Sequence, residues 1–299
     1  MNRRFAIKNL LPTALFCLLM TIACNKPPYM PDGPATWYEP VRNNDGTYGG
    51  NNDGQPLLTK LRIMTYNIHI LNPPSKPGET DIQATANAIR RGNPDIVFLQ
   101  EVDQNTTRNG YNGDQAKDLA QILEMNYTFF SAKAQNRGFY GVAILSKYPI
   151  NNAQKHLLTK ENDATEQRVM GTAIIDLPGI DSIMAAVSHL QHNSANNRLQ
   201  QVNDIAAILG AVPHRVVFGA DLNEFETTTN FFNVFDGVLT RTCIGGNCPR
   251  TFSAQNPQST IDYLAYKPST AFSVNAHSTL PEFYASDHLP VLAELTINR

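Results

Sequence analysis

Polar, chemically active residues in this chain stand at the rims of apolar runs with strand character. Asn67 closes the run that starts at Leu61, and Glu101 comes just after Ile96-Val97-Phe98-Leu99. His189 follows Met184-Ala185-Ala186-Val187-Ser188, while Asp221 and Asn223 follow Val216-Val217-Phe218. Asp262 opens the run Tyr263-Leu264, and Asp287-His288 precede Leu289-Pro290-Val291. A carboxylate or imidazole is costly in a core and sensible where a strand end meets water or a ligand. A chain of this kind must gather its strands into sheets and leave its reactive groups at their ends.

Helical spacing alternates with these runs. Asp81–Arg91 has Ile82 and Ile89 on one face and Gly92 as a stop; Gln115–Glu124 reads as a second helix. Ala195–Leu209 places Leu199, Val202, Ile205, Ala206 and Leu209 at helical spacing before Gly210. Leu61–Asn67, Asp95–Gln100, Val142–Leu145, Val169–Ile175, Ile183–His189, Val216–Phe218, Asp262–Tyr266 and Val291–Ile297 read as strands. Periodicity gives an α/β chain with no second core.

The ordered set Thr65-Tyr66-Asn67, Leu99-Gln100-Glu101, Ser188-His189, Gly219-Ala220-Asp221-Leu222-Asn223, Ile261-Asp262 and Ser286-Asp287-His288 resembles the endonuclease/exonuclease/phosphatase family, the DNase I-like phosphoesterases. The resemblance runs from about Leu61 to the C-terminus. It implies a four-layer sandwich, two stacked mixed β-sheets flanked by helices. Ala220 between the glycine and the aspartate departs from the usual Gly-Asp-x-Asn.

Each residue has an ordinary reading beside the one the resemblance implies. Glu101 is a cap or turn residue, or the main ligand of Mg²⁺ (Mn²⁺ being the alternative), a hard ion suited to one or two carboxylates. Asn67 and Asp287 would support that metal. Asp221 and Asn223 form an Asx-turn, or they position and deprotonate the attacking water and bond a phosphate oxygen. Asp262 would orient His288 and favour its charged form, and His189 would donate to a phosphate oxygen. The choice of base between Asp221 and His288 stays open. Tyr140, with Phe139 as rival, would approach the scissile phosphate. Arg168 reads equally as a phosphate clamp or an ion pair. Arg198 and Gln201 share a helix face, and His189 followed by Arg-x-x-Gln is similar to the branch acting on small phosphoesters and lipid headgroups, with Arg198 on the phosphate. His69 has no assigned role.

The N-terminus carries Arg3, Arg4 and Lys8, then an apolar stretch from Leu10 to Ile22 interrupted by Pro12, then Ala23-Cys24. Residues 1–23 are expected to be a lipoprotein signal peptide, with Cys24 as the lipidated residue. Residues 24–58, rich in Pro, Gly, Asn and Asp, are expected to be a flexible tether onto which Trp37, Tyr38 and Tyr48 could fold back, and residues 59–299 the catalytic domain. The expected location is the cell envelope of a Gram-negative bacterium, with the leaflet open. Export permits a Cys243–Cys248 disulfide, which would fix one surface turn. The net charge is −2, with no Lys/Arg run, so no stable nucleic-acid complex is expected; the chain is expected to be monomeric. The function expected is Mg²⁺-dependent hydrolysis of a lipid-headgroup, inositol or sugar phosphoester. The rivals are a secreted nuclease and a lipid-anchored binding protein on a hydrolase fold.

Overall fold

The computed structural model describes residues 36–38, 48–50, 54–244 and 248–299. The expected signal peptide and Cys24 lie outside these. With strands numbered along the chain, one sheet has the order β1 (Thr36–Tyr38), β6 (Ile150–Leu157), β7 (Val169–Leu177), β8 (Asp181–His189), β9 (Val216–Asp221), β11 (Asp262–Lys267), β10 (Thr240–Arg241). The other has the order β12 (Phe272–Thr279), β13 (Val291–Ile297), β2 (Lys60–Asn67), β3 (Ile96–Gln104), β5 (Gly138–Ser146), β4 (Asn126–Gln135). Helices α1 (Ile82–Gly92) and α2 (Gln115–Leu123) cover the second sheet; α3 (Ala195–Gly210) and α4 (Thr229–Phe235) cover the first. This is the four-layer sandwich the resemblance implies.

The helices start where short polar side chains satisfy free amides. Asp81 accepts from the Ala84 N–H, Asp114 from Lys117 and Ser194 from Asn197. Ile89 and Leu119 bury their helix faces against Tyr66, Leu99 and Leu145. Val202, Ile205 and Leu209 do the same against Phe218 and Tyr263. Between the sheets, glycine permits close approach. A Cβ on Gly219 would stand 2.2 Å from the Phe98 ring of the facing sheet, and one on Gly171 would stand 2.1 Å from Phe130.

Several elements carry no usable sequence period. Edge strand β12 is largely exposed and so lacks alternation, and α4 is only seven residues long. β6 contains a register shift between Asn151 and Gln154. Within the segment expected as a tether, Thr36–Tyr38 pairs antiparallel with β6. Tyr48 also exchanges backbone hydrogen bonds with the Asn126 side chain, at 3.0 and 2.9 Å. Cys243 and Cys248 are joined, with Cα atoms 5.2 Å apart.

Strand directions bring the polar rim residues to one end. β2 runs parallel to β3, and β8 runs parallel to β9 with His189 opposite Asp221. β11 returns antiparallel, so its first residue, Asp262, also pairs with Asp221. β13 enters antiparallel to β2 with Val291 opposite Thr65, which puts the Ser286-Asp287-His288 turn beside Asn67.

Candidate active site

Asp221 is the hub. It is 1% exposed, and its Oδ1 accepts the Asn223 backbone N–H at 2.9 Å, the Asx-turn of the ordinary reading. Its Oδ2 accepts from Asn67 Nδ2 at 3.0 Å and lies 3.4 Å from His189 Nε2 and 3.7 Å from His288 Nε2. Burial, then the neighbouring Asp262 charge, raises its pKa to about 7, above the usual carboxylate range, while His288 and the Asn67 bond oppose the rise. The turn and the site are one structure, because the turn fixes one carboxylate oxygen and leaves the other facing two imidazoles.

His288 is held from both sides. Its Nδ1 lies 2.9 and 3.1 Å from the Asp262 carboxylate oxygens, and the Phe252 ring covers it at a centroid distance of 4.9 Å. Burial alone would lower its pKa; the Asp262 and Asp221 charges overcome this and raise it from 6.5 to about 10. It is therefore an imidazolium at neutral pH. Ser286 fixes the turn, donating its hydroxyl to the Asn67 carbonyl at 2.7 Å and accepting the His288 N–H at 3.1 Å. Sequence reasoning missed Ser286 and Phe252. Ser286 left a signal, a hydroxyl two residues before the histidine, whereas Phe252 arrives from a distant loop.

His189 is the opposite case. Burial, then the charges of Arg168, His288 and His192, lowers its pKa well below the ordinary value, so it is neutral. Arg168 donates to its Nδ1 at 3.1 Å, and its Nε2 faces Asp221 at 3.4 Å with the Asn223 amide nitrogen 3.1 Å away. Asn223 closes this side by donating its amide to the Leu190 carbonyl at 3.1 Å.

Glu101 sits in a bulge of β3 between Leu99 and Val102, with φ +55°. The bulge re-aims its side chain out of the sheet alternation. Among the described residues its carboxylate has one hydrogen bond, from Asn67 Nδ2 at 3.3 Å, and no ion pair. A half-exposed carboxylate with spare lone pairs, linked through Asn67 to Asp221, is an oxygen donor of the kind Mg²⁺ or Mn²⁺ accepts. Asp221, Asp262 and His288 also come close enough to offer three ligand atoms to one ion. His288 keeps protons on both ring nitrogens at neutral pH and offers an ion no lone pair, so the freer Glu101 is the better fit. Asn67 links the carboxylate offered to a metal with the catalytic aspartate. Its Oδ1 accepts the His69 N–H at 3.1 Å, so it turns Nδ2 toward the carboxylates and bridges Glu101 to Asp221. His69 thereby gains a role through its backbone.

Two phosphate-binding expectations also change. Arg168 is 4% exposed, with Glu166 at 3.3 Å and His189, Gln191 and His192 around its NH groups. It backs His189 and is not an outward clamp. Arg198 pairs with buried Glu224 at 2.8 Å and donates to the carbonyls of Gln191 and His192 at 3.1 and 3.0 Å. Its Nε and Nη1 tie the His189 loop to the Asn223 loop, so the structure gives it a loop-bridging ion pair. Tyr140 is buried, with Arg108 and Lys133 cations 5.1 and 5.2 Å from its ring centre. Burial, then the Glu101 charge, keeps its hydroxyl protonated. Phe139 packs into the cluster under α1 and α2, which leaves Tyr140 as the residue at the site.

Comparisons with known proteins agree with this geometry. Residues 64–288 match the Endonuclease/Exonuclease/phosphatase family. The uncharacterized protein YbhP of Escherichia coli K12 is 25% identical over 220 residues, spanning 70% of this chain and 85% of its own length. A solved endonuclease/exonuclease/phosphatase from Beutenbergia cavernae superposes with a TM-score of 0.66 at 24% identity, covering 81% of this chain and 72% of that one. A mannosyl-6-phosphatase of Bacteroides thetaiotaomicron has the same fold, with a TM-score of 0.62 at 19% identity, covering 79% of this chain and 100% of that one.

Proposed function

Because the chain belongs to the endonuclease/exonuclease/phosphatase family, a family of phosphoesterases, we propose that it is a Mg²⁺-dependent hydrolase of small phosphoesters, a phosphodiester or phosphomonoester of a lipid headgroup, an inositol or a sugar. The observation that carries this reading is the buried Asp221 carboxylate, fixed by Asn67 and Asn223 and faced by one charged and one neutral imidazole. Mn²⁺ is the alternative ion.

A divalent ion at Glu101 and Asp287 would supply Lewis-acid polarisation of a phosphate oxygen. The chain's own residues do the rest. Asp221 has the raised proton affinity and fixed orientation of a base for water. His288, charged through Asp262, neutralises negative charge developing on the phosphoryl group. His189 donates Nε2–H, and Asn67 couples the metal-side carboxylate to Asp221. Asp221 is the better base of the two candidates, because an imidazolium with a pKa of about 10 has no free lone pair near neutrality. The domain is proposed to be exported as a monomer, lipid-anchored through Cys24, and to form no stable nucleic-acid complex; the basic n-region, Ala23-Cys24 and the net charge of −2 support this.

Product analysis on the full chain, with Mg²⁺ and with EDTA, tests the reading against inositol and sugar phosphates, phosphatidylinositol, sphingomyelin, plasmid DNA and RNA. Metal-dependent release of phosphate or a headgroup with DNA intact is expected. Degraded nucleic acid would make it a nuclease, and no cleavage of any phosphoester would refute the enzymatic reading.

A further inference from the structure

The Asp262–His288 pair is assembled from two sheets. Asp262 opens β11 in the first sheet, whereas His288 lies in the turn that leads into β13 of the second. Neither ladder fixes the distance between them. On one flank β11 is held by β9, where the Leu222 N–H donates to the Ile261 carbonyl at 2.8 Å. That bond makes Asp262 and Asp221 a non-hydrogen-bonded pair of the antiparallel ladder, so the Asp262 backbone N–H points away from β9. On the other flank the pairing with β10 stops at Ala265. Ile261 and Asp262 are nevertheless buried, and buried amides need an acceptor.

Thr251 supplies that acceptor. Its hydroxyl oxygen accepts the Ile261 and Asp262 N–H groups at 3.2 and 3.4 Å. Its carbonyl accepts the N–H of Leu289, the neighbour of His288, at 2.8 Å. Its own N–H donates to the Ser259 carbonyl at 2.8 Å, and the whole residue is buried. One threonine therefore holds both members of the pair, Asp262 by the side chain and His288 through the adjoining backbone. The residues after it grip the same turn: the Phe252 ring lies on the His288 imidazole, and the Ala254 N–H donates to the Asp287 carbonyl at 2.6 Å. Serine at this position would keep the acceptor. Valine has the shape of threonine but no lone pair, so it would leave two buried amides without a partner.

We propose that Thr251 is the positioning residue of the Asp262–His288 pair: its hydroxyl ties the start of β11 to the turn before β13 and so sets the 2.9 Å between carboxylate and imidazole. The inference rests on the phosphoesterase reading above and adds to it a residue that touches no reacting atom. Its hydroxyl acts through the imidazolium, which meets charge that develops only in the transition state. Loss of the hydroxyl therefore lowers kcat and spares KM.

Steady-state kinetics of the full chain with Mg²⁺, on whichever ester of the panel above turns over fastest, compares Thr251→Val, Thr251→Ser and Thr128→Val, with circular dichroism to verify folding. Thr128 is the control, a buried threonine on edge strand β4 whose hydroxyl has no partner among the described residues. Thr251→Val should lower kcat about 10²-fold, the loss that a misplacement of about 1 Å brings, with KM within about threefold of wild type. Thr251→Ser should keep kcat within about threefold, and Thr128→Val should leave both constants unchanged. A folded Thr251→Val with kcat near wild type, a serine variant as impaired as the valine, or an equal loss in Thr128→Val overturns the inference. If Thr251→Val does not fold, Thr251→Ala takes its place; if neither folds while the serine variant does, the hydroxyl serves folding and the inference is overturned. If the wild-type chain turns over no phosphoester, the phosphoesterase reading fails separately, and amide exchange followed by NMR decides the clamp. Asp262 and Leu289 amides exchanging at least about tenfold faster in the hydroxyl-free variant support it, and unchanged exchange overturns it.

Discussion

Asp262→Asn isolates the charge behind the histidine with little change of shape. Asp262 lies 2.9 Å from His288 Nδ1, both groups are buried, and the next carboxylate, Asp221, stands farther off at 3.7 Å from Nε2. The rise of the His288 pKa from 6.5 to about 10 corresponds to at most about 5 kcal/mol, at 1.36 kcal/mol per pH unit. The sign follows from linkage. A raised histidine pKa contributes stability that is full below about pH 6.5 and is lost as pH rises through about 10. With asparagine in place of the aspartate, the largest charge holding the proton on His288 is gone, so its pKa falls, with Asp221 as the remaining carboxylate beside the ring. A transition state that relies on this cation should then lose about 10²–10⁴ in kcat. The alkaline limb of the kcat–pH profile should move down from near pH 10, so part of the activity returns as pH is lowered. Initial rates between pH 5 and 10, with circular dichroism to verify folding, measure both effects. A folded variant within threefold of wild-type kcat, with an unmoved alkaline limb, would refute the charged-imidazole reasoning.

Glu101→Gln keeps the bulge and the Asn67 contact but removes the charge offered to a cation. The concentration of Mg²⁺ giving half-maximal rate should rise at least tenfold, read from metal titrations after EDTA treatment; an unchanged titration would move the metal to another donor set. Arg198→Ala leaves Glu224 as an unpaired buried charge, so a loss of about 3–5 kcal/mol of stability is expected by chemical denaturation. Arg198→Lys should recover part of that loss. A raised KM with unchanged stability would instead restore the phosphate-contact role.

The sequence by itself determined the alternation that yields an α/β sandwich, because burial periods are local and survive without a partner. It also determined the rim positions of Glu101, His189, Asp221, Asp262 and His288, since a polar group beside an apolar run is visible in one dimension. Tertiary structure alone decided what those groups do to one another. Asp221 and Asp262 meet only because β9 and β11 pair in that register, and this pairing makes one imidazole cationic while Arg168 keeps the other neutral. Arg198 read as a phosphate contact because helical spacing gives its face but not its partner; Glu224, 26 residues away, takes its charge. Which end of the Asn67 amide faces the carboxylates is likewise invisible in one dimension, because it depends on the His69 N–H that its Oδ1 accepts. The cavity beside Arg168, assembled from two loops, has no one-dimensional signature, because the shape of a void depends on how far apart the folded segments stand.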